Sequence, residues 1–99
     1  MDLSQRVRAI TSFIDAADAG SFAAAARLQG VSAAAISKNI AGLEQAPGVR
    51  LMNRTTRQPR LTQEGAAFLH QSRIAIFALD TAADRVAPGK VQTLGPRRL

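Results

Sequence analysis

Few side chains in this 99-residue chain could take part in acid–base or metal chemistry. It has no cysteine and one histidine, His70, and four of its seven acidic residues form two pairs at helical spacing, Asp15 with Asp18 and Asp80 with Asp84. Acid–base catalysis needs a positioned histidine or a carboxylate pair in a pocket, and both pairs are more simply explained as solvated helix faces. We therefore predict no enzyme activity, no catalytic residues, no metal site and no cofactor.

Basic side chains offer a different chemistry, the binding of polyanions. Thirteen Lys and Arg against seven Asp and Glu give a formal net charge of +6, and Arg50, Arg54, Arg57 and Arg60 fall in a segment without acids. This excess favours nucleic acid as the partner, ahead of an anionic membrane or a merely solubilising surface. No apolar run approaches the roughly 20 residues of a membrane span. The amino terminus, with Asp2, lacks the hydrophobic core of a signal peptide, so we expect a cytoplasmic protein without a membrane partner.

A second candidate surface lies on a helix predicted over residues 33–46. Ile36, Ile40 and Leu43 are spaced to form its buried face. The residues of the opposite face are Ser32, Ala33, Ala34, Ser37, Lys38 and Ala41. This face is small, polar and basic, with no acid before Glu44. A helix that enters a DNA groove must approach closely and tolerate phosphate charge, whereas an ordinary solvated face usually mixes Glu with Lys.

The elements before that helix would brace it. A first helix is predicted over residues 4–18, with one apolar face formed by Val7, Ile10, Phe13, Ile14 and Ala17. Gly20 ends this helix and Ser21 begins a short one over residues 22–29 as its N-cap.

The chain over residues 22–45 then has the pattern of helix, tight turn and helix. Ala25 and Ala26 permit a close crossing, Gly30 permits a positive φ in the turn, and Ser32 caps the next helix. This pattern favours a helix-turn-helix, with an ordinary helical hairpin as the alternative.

A short hairpin and a long helix complete the predicted fold. Val49 and Leu51, with Met52 as a further candidate, would form one strand, and residues 60–61 the return strand after a polar tip. Thr62 caps a helix that continues to about Val86. We thus predict a mainly α winged helix-turn-helix over residues 1–61, with a three-helix core and a short two-stranded wing, a linker or dimerisation helix over 62–87, and a tail over 88–99.

The long helix carries an apolar stripe at spacings of 3, 4, 3, 4 and 3 residues. Its members are Leu69, Ser72, Ile76, Leu79, Ala83 and Val86. This is the a/d pattern of a helix–helix seam, so we predict a homodimer through this helix. Ala66, Ile74 and Phe77 lie beside the seam and would either widen it or pack on the body. The alternative is that the whole stripe packs onto the same chain.

In combination these motifs resemble the amino-terminal domain of the LysR-type transcriptional regulators. The resemblance covers roughly residues 3–86. It is carried by Phe13, Gly20-Ser21-Phe22 with the alanines to Ala26, Val31-Ser32, Ala35-Ile36-Ser37-Lys38 with Ile40, Leu43-Glu44, Gly48-Val49-Arg50-Leu51, Asn53-Arg54-Thr55-Thr56-Arg57, Leu61-Thr62 and Gly65.

The resemblance implies sequence-specific binding to double-stranded DNA. In that family the recognition helix enters the major groove, the wing touches the DNA backbone and the long helix dimerises. Ser37, Lys38, Arg54 and Arg57 fall on positions that commonly contact DNA. The full set of expected DNA-binding residues is Ser21, Ser32, Ala33, Ala34, Ser37, Lys38, Arg54, Thr55, Thr56 and Arg57.

Some positions depart from the family pattern. Ala33 and Ala34 stand where many members have Gln-Pro, so direct readout would rest more on thymine methyl contacts, Ser37 and Lys38. Gln29 stands where Leu is typical, and Met52 where Phe is usual. Family members continue into a ligand-sensing domain, which these 99 residues do not contain, so we expect no small-molecule effector for this chain.

Two other functions remain open from the residues alone. One is a dimeric helical module that docks on a protein partner and carries incidental basic charge. The other is RNA binding, against which stands the shortage of aromatic residues, since only four Phe are present and single strands are usually stacked on aromatic platforms.

Overall fold

The computed structural model describes residues 1–45, 47–53 and 59–86. In chain order its elements are α1 (Leu3–Ala19), α2 (Phe22–Gln29), α3 (Ala33–Gln45), β1 (Met52–Asn53), β2 (Arg60–Leu61) and α4 (Gln63–Val86). This order is the predicted winged helix-turn-helix followed by a long helix. The predicted tail over residues 88–99 lies outside the described residues.

Short-range signals set the end of α1, both ends of α2 and the start of α3, as predicted. Gly20 and Gly30 end α1 and α2 in the left-handed conformation, with φ of 81° and 69°, where a side chain would be strained. The Ser21 hydroxyl accepts the Ala24 N–H at 3.0 Å, and the Ser32 hydroxyl accepts the Ala35 N–H at 3.1 Å. These bonds satisfy backbone donors that the first turn of a helix leaves free.

The core lies where α1, α2 and α3 cross. Ile36, Ile40 and Leu43 are buried in it, as the helical spacing predicts. Its full membership is Ala9, Phe13, Ala16, Ala25, Ala26, Ile36, Ile40, Leu43, Leu51 and Met52. Four of the five members contributed by α1 and α2 are alanines, which lets the helix backbones approach closely.

The buried face of α1 is rotated relative to the predicted one. Phe13 lies at its centre as expected, but its neighbours there are Ala9, Ser12 and Ala16. Val7, Ile10, Ile14 and Ala17 are only half-buried at the edges of this face. The spacing argument weighted large apolar residues, whereas the closest helix contacts are made by the small ones.

A polar network joins the three helices beside this core. The Gln29 side-chain amide donates to Asp15 at 2.7 Å, the Ser12 hydroxyl donates to Oε1 of the Gln29 side chain at 3.4 Å, and the Asn39 side-chain amide donates to the Ser12 hydroxyl at 3.0 Å. Gln29 thus replaces the apolar packing expected at its position with hydrogen bonds, and Leu28 beside it is exposed.

The wing is shorter than predicted on its first strand. Met52 pairs with Leu61, and Asn53 with Arg60, in an antiparallel ladder. Val49 and Leu51, which we expected in the strand, precede it. Leu51 is instead buried, and its backbone is engaged by α3 and by the start of α4, so it is not free to extend the ladder.

The long helix α4 packs its amino-terminal half onto α1 and the wing. The Thr62 hydroxyl accepts the Gly65 N–H at 2.9 Å, confirming the predicted cap. Phe68 meets Phe13 with ring centroids 5.5 Å apart, and Arg73 pairs with Asp18 of α1. None of the helices among the described residues has both the length and the apolar character to cross a membrane.

Candidate nucleic-acid interface

The outer face of α3 is exposed and small. Ala33, Ala34, Lys38 and Ala41 are exposed and Ser37 is half-buried, while Ile36 and Ile40 on the inner face are fully covered. The predicted division of α3 into a core face and an outer face is therefore confirmed. Ser32, the sixth predicted residue of this face, is exposed and serves as the N-cap.

The single acid of α3 points away from this surface. Glu44 is 8% exposed, and its Oε2 accepts the backbone N–H of Leu51 at 2.8 Å and of Met52 at 3.3 Å. The carboxylate therefore lies in the junction with the wing, whereas the sequence interpretation noted Glu44 as the first acid of the helix without assigning it to a face. Its four-residue spacing from Ile40, itself four residues after Ile36, was the signal that places it on the inner side.

Two contacts hold the base of the wing against α4. The Thr62 hydroxyl donates to the Arg50 carbonyl oxygen at 2.6 Å, and the Thr62 N–H donates to the Leu51 carbonyl oxygen at 3.0 Å. Gly65 is buried against Leu51. Together with Glu44, these contacts tie α3, the wing and α4 into one unit, which the sequence interpretation did not anticipate.

The described part of the wing presents basic side chains outward. Arg50 and Arg60 are exposed, as is Asn53 opposite Arg60. Four of the predicted DNA-binding residues, Arg54, Thr55, Thr56 and Arg57, lie outside the described residues. Ser21, at the start of α2, is half-buried, with its hydroxyl committed to the cap.

The predicted seam of α4 divides into two parts. Leu69 is half-buried and packs against the core, Ser72 is 3% exposed, and Ile76 is half-buried. The prediction for Ser72 therefore needs correction, because the protomer itself covers this side chain and leaves no surface for a partner. The reason is that the α4 stripe faces α1 along its first half.

The second half of α4 extends past this packing. Leu79, Ala83 and Val86 continue the stripe as exposed residues. A second apolar pair lies on a different side of the helix, with Ile74 52% and Phe77 72% exposed. Phe77 is thus the most exposed aromatic side chain among the described residues.

Acidic residues and the histidine do not converge on a reactive site. His70 is exposed on α4, and Asp15 and Asp18 are engaged with Gln29 and Arg73 respectively. In residues 1–45, 47–53 and 59–86, no group of three or more His, Cys, Asp or Glu side chains is placed to hold a metal ion.

A braced helix with a small, acid-free outer face, followed by a basic hairpin, defines a winged helix-turn-helix domain. Residues 7–66 match the sequence model of the bacterial regulatory helix-turn-helix proteins of the lysR family. The chain belongs to this family, whose members are regulators rather than enzymes.

Similar proteins support this assignment. An HTH-type transcriptional repressor of Pseudomonas aeruginosa is 33% identical over 94 residues, which are 95% of this chain and 30% of that protein. The probable HTH-type transcriptional regulator LtrA of Klebsiella pneumoniae is 35% identical over 91 residues, which are 86% of this chain and 29% of that protein. The chain thus spans about 30% of the length of these relatives.

Solved structures share the fold. The CbnR DNA-binding domain in complex with DNA has a TM-score of 0.75 and 37% identity, covering 80% of this chain and 91% of that chain. The BenM DNA-binding domain in complex with catB site 1 DNA has a TM-score of 0.75 and 26% identity, covering 84% of this chain and 97% of that chain.

Proposed function

We propose that this chain is the DNA-binding part of a transcriptional regulator, which places α3 in the major groove of a specific duplex site. Its similarity to the CbnR and BenM domains, both solved in complexes with DNA, supports this function. The protein would act in the cytoplasm, on bacterial DNA.

The observation that carries the proposal is the electrostatic character of the outer face of α3. Lys38 is exposed on it, and the helix's single acid, Glu44, is buried on the other side and bonded to backbone N–H groups. Phosphates flank the groove on both sides, so a carboxylate on the outer face would be repelled. The hydrogen bonds that hold the Glu44 carboxylate away from the outer face also hold the wing at the end of α3.

The wing would supply sequence-independent contacts to the phosphates. Arg50 and Arg60 are exposed at its base. Arg54, Thr55, Thr56 and Arg57 form the segment between the strands, where Arg side chains and hydroxyls suit phosphate oxygens. Ser21 and Ser32, at the starts of α2 and α3, lie where backbone N–H groups and hydroxyls can meet phosphates. Ala33, Ala34, Ser37 and Lys38 would face the bases.

Selection of duplexes from a random pool tests sequence specificity, and gel-shift titrations against single-stranded RNA test the nucleic-acid type. We expect one enriched duplex motif and weak binding to RNA. Equal binding to unrelated duplexes and to RNA would contradict the proposed function.

Lys38→Ala separates DNA contact from folding. It should weaken duplex binding, reduce the slope of log K against log salt by about 1, and leave the thermal melt unchanged because Lys38 is exposed. The matched control is Ile40→Ala on the buried face, which should destabilise the domain by roughly 2–5 kcal/mol. Unchanged affinity and salt slope in a folded Lys38→Ala protein would remove α3 from the interface.

We further propose that two copies pair through the exposed apolar residues of α4. Two-fold pairing would present two recognition helices to one side of the DNA, so the selected site should contain an inverted repeat. Of the predicted seam, Leu79, Ala83 and Val86 remain accessible, Leu69 and Ile76 are partly covered, and Ser72 is covered. Ile74 and Phe77 add exposed apolar surface and are not among the described residues that pack against the core, and such surface usually marks an interface.

Sedimentation of aspartate variants tests the dimer. Phe77→Asp and Leu79→Asp place a charge on the two apolar sides of α4, and Gln71→Asp, at an exposed polar position, is the control. We expect the control to sediment with the wild type and at least one apolar variant to become monomeric with an unchanged helical spectrum. If both variants sediment with the wild type, α4 does not form the dimer.

A further inference from the structure

The first turn of α3 is an apolar, exposed surface. Ala33 and Ala34 are its first two residues and both are exposed. The hydroxyl of Ser32, just before them, already accepts the Ala35 N–H at 3.1 Å as the helix cap. In a recognition helix the amino-terminal residues contact the base edges. With α3 in the groove, its first turn would therefore meet the bases with two methyl groups and with no amide or charged side chain.

The methyl group of an alanine side chain can make an apolar contact with a methyl group of the DNA. In the major groove the four base pairs differ mainly in hydrogen-bond donors and acceptors, and the one apolar group there is the C5-methyl of thymine. An alanine side chain can contact it at the usual carbon–carbon distance of about 3.5–4.0 Å. Alanine is also short, so α3 can lie deeper in the groove than a helix with a long polar residue at these positions.

The second turn of the outer face is polar and basic, unlike the first. Ser37 is half-buried one turn later, and Lys38 follows Ala34 by four residues, on the same line along the helix. A lysine at that place suits guanine O6 and N7 or a phosphate. The helix would thus change along its length from methyl contact at its first turn to charge-assisted hydrogen bonding at its second.

We propose that Ala33 and Ala34 select thymine in each half-site by contact with its C5-methyl group. This inference rests on the proposed placement of α3 in the major groove. It makes the two alanines specificity-determining residues, although neither can donate or accept a hydrogen bond through its side chain.

Removing the methyl group from the DNA tests this directly. In a duplex selected from the random pool, each thymine of one half-site is replaced in turn by deoxyuridine, which keeps every hydrogen-bonding group. Burial of one methyl group corresponds to about a fourfold change in affinity. We expect one or two positions to show this loss, and about a fifteenfold loss when one such position is changed in both half-sites.

Removing the methyl groups from the protein completes the cycle. Ala33→Gly and Ala34→Gly, made singly and together, should bind the thymine duplex more weakly and lose the difference between thymine and deoxyuridine. Ala41→Gly, at an exposed position two turns further along α3, is the control and should keep that difference. Circular-dichroism melts report whether each glycine variant is folded at the assay temperature.

A third arm needs only the wild-type protein. At the sensitive position the T·A pair is replaced by C·G and by 5-methylcytosine·G, which restores the methyl group on an otherwise changed base pair. The methylated duplex should bind about fourfold more tightly than the unmethylated one. Equal affinity of the thymine and deoxyuridine duplexes, or of the two cytosine duplexes, would overturn the inference while the proposed DNA binding stands. Failure to select any duplex would remove the proposed function itself.

Discussion

Two of the contacts that fasten the long helix α4 to the rest of the domain differ in kind. At its first turn, Gly65 lies so close to the chain before β1 that a Cβ atom there would stand 1.9 Å from the Leu51 carbonyl oxygen. Eight residues later, Arg73 pairs with Asp18, and the two side chains are 49% and 51% exposed. The first is a contact between backbones, whereas the second joins two long, solvated side chains.

The difference shows which contact sets the geometry. Backbone at van der Waals distance can move only if a whole element moves, while an exposed ion pair can rearrange at little cost. Leu51, against which Gly65 packs, also donates its N–H to Glu44 and accepts from Thr62. The direction of α4 relative to α3 and the wing is therefore fixed at the first place and only reinforced at the second.

Gly65→Ala should have the largest effect on this arrangement. The added methyl group meets Leu51 backbone atoms at 1.9, 2.8 and 3.2 Å, so α4 and the wing must separate. We expect a loss of roughly 3–5 kcal/mol in the free energy of unfolding, at the upper end of single-site effects, measured by urea denaturation.

Gly42→Ala is the matched control, because it makes the same change in another helix. Among the described residues, a Cβ at Gly42 meets only the end of the Met1 side chain, at 3.0 Å, which can move aside. This variant should be stabilised by about 0.5–1 kcal/mol through helix propensity. If Gly65→Ala were as stable as Gly42→Ala, steric contact at Leu51 would not fix α4.

Ser72→Ala should have a smaller effect, of opposite sign. Ser72 lies between the two fastening points, and its buried hydroxyl oxygen has no hydrogen-bond partner among the described residues. Removing this unsatisfied group should stabilise the domain by about 1 kcal/mol. Ser12→Ala is the control, because the Ser12 hydroxyl accepts from Asn39 and donates to Gln29, and its loss should destabilise. A less stable Ser72→Ala protein would show that the hydroxyl is satisfied and contributes to the attachment of α4.

The features that could be predicted best from the sequence are those set by residues close together along the chain, namely the helix ends and the inner face of α3. Gly20, Ser21 and Gly30 act on the helix ends within a few residues of themselves, so the bounds of α2 followed from local rules. The inner face of α3 followed from helical spacing for the same reason. The hairpin after α3 was predicted from two short apolar segments around a polar tip, and the resemblance to a known family implied that this wing touches the DNA backbone.

Contacts between distant segments were not predictable in this way. Gly65 is required because the chain brings Leu51 against it, and Ser72 is buried because α4 lies along α1. Neither fact is contained in the spacing of the α4 stripe, which is the same whether its partner is a second copy or the same chain. Helical spacing assigns the site residues of α3 to the outer face and Glu44 to the inner one. The bonds that the Glu44 carboxylate accepts from the Leu51 and Met52 N–H groups depend on the position of the wing, which the spacing does not contain.

Asp18→Asn should have the smallest effect on stability, and the dependence of that effect on pH identifies the ion pair as its cause. The hydrogen bond from the Arg73 guanidinium, together with its charge, lowers the pKa of the Asp18 carboxyl group below its ordinary value, against a smaller opposing effect of burial. A carboxyl group with a lowered pKa in the folded state stabilises that state above the pKa of the unfolded chain, near 4. This contribution disappears as the pH falls through the lowered pKa. Wild type should therefore melt slightly above Asp18→Asn at neutral pH, and the two should converge in acid and at about 0.5 M salt, where the pair is screened.

Asp80→Asn, which removes the same charge from an exposed position of α4, is the control for net charge. A difference between Asp18→Asn and Asp80→Asn that persisted unchanged in acid would mean that Asp18 acts through packing, and the second fastening point would then resemble the first.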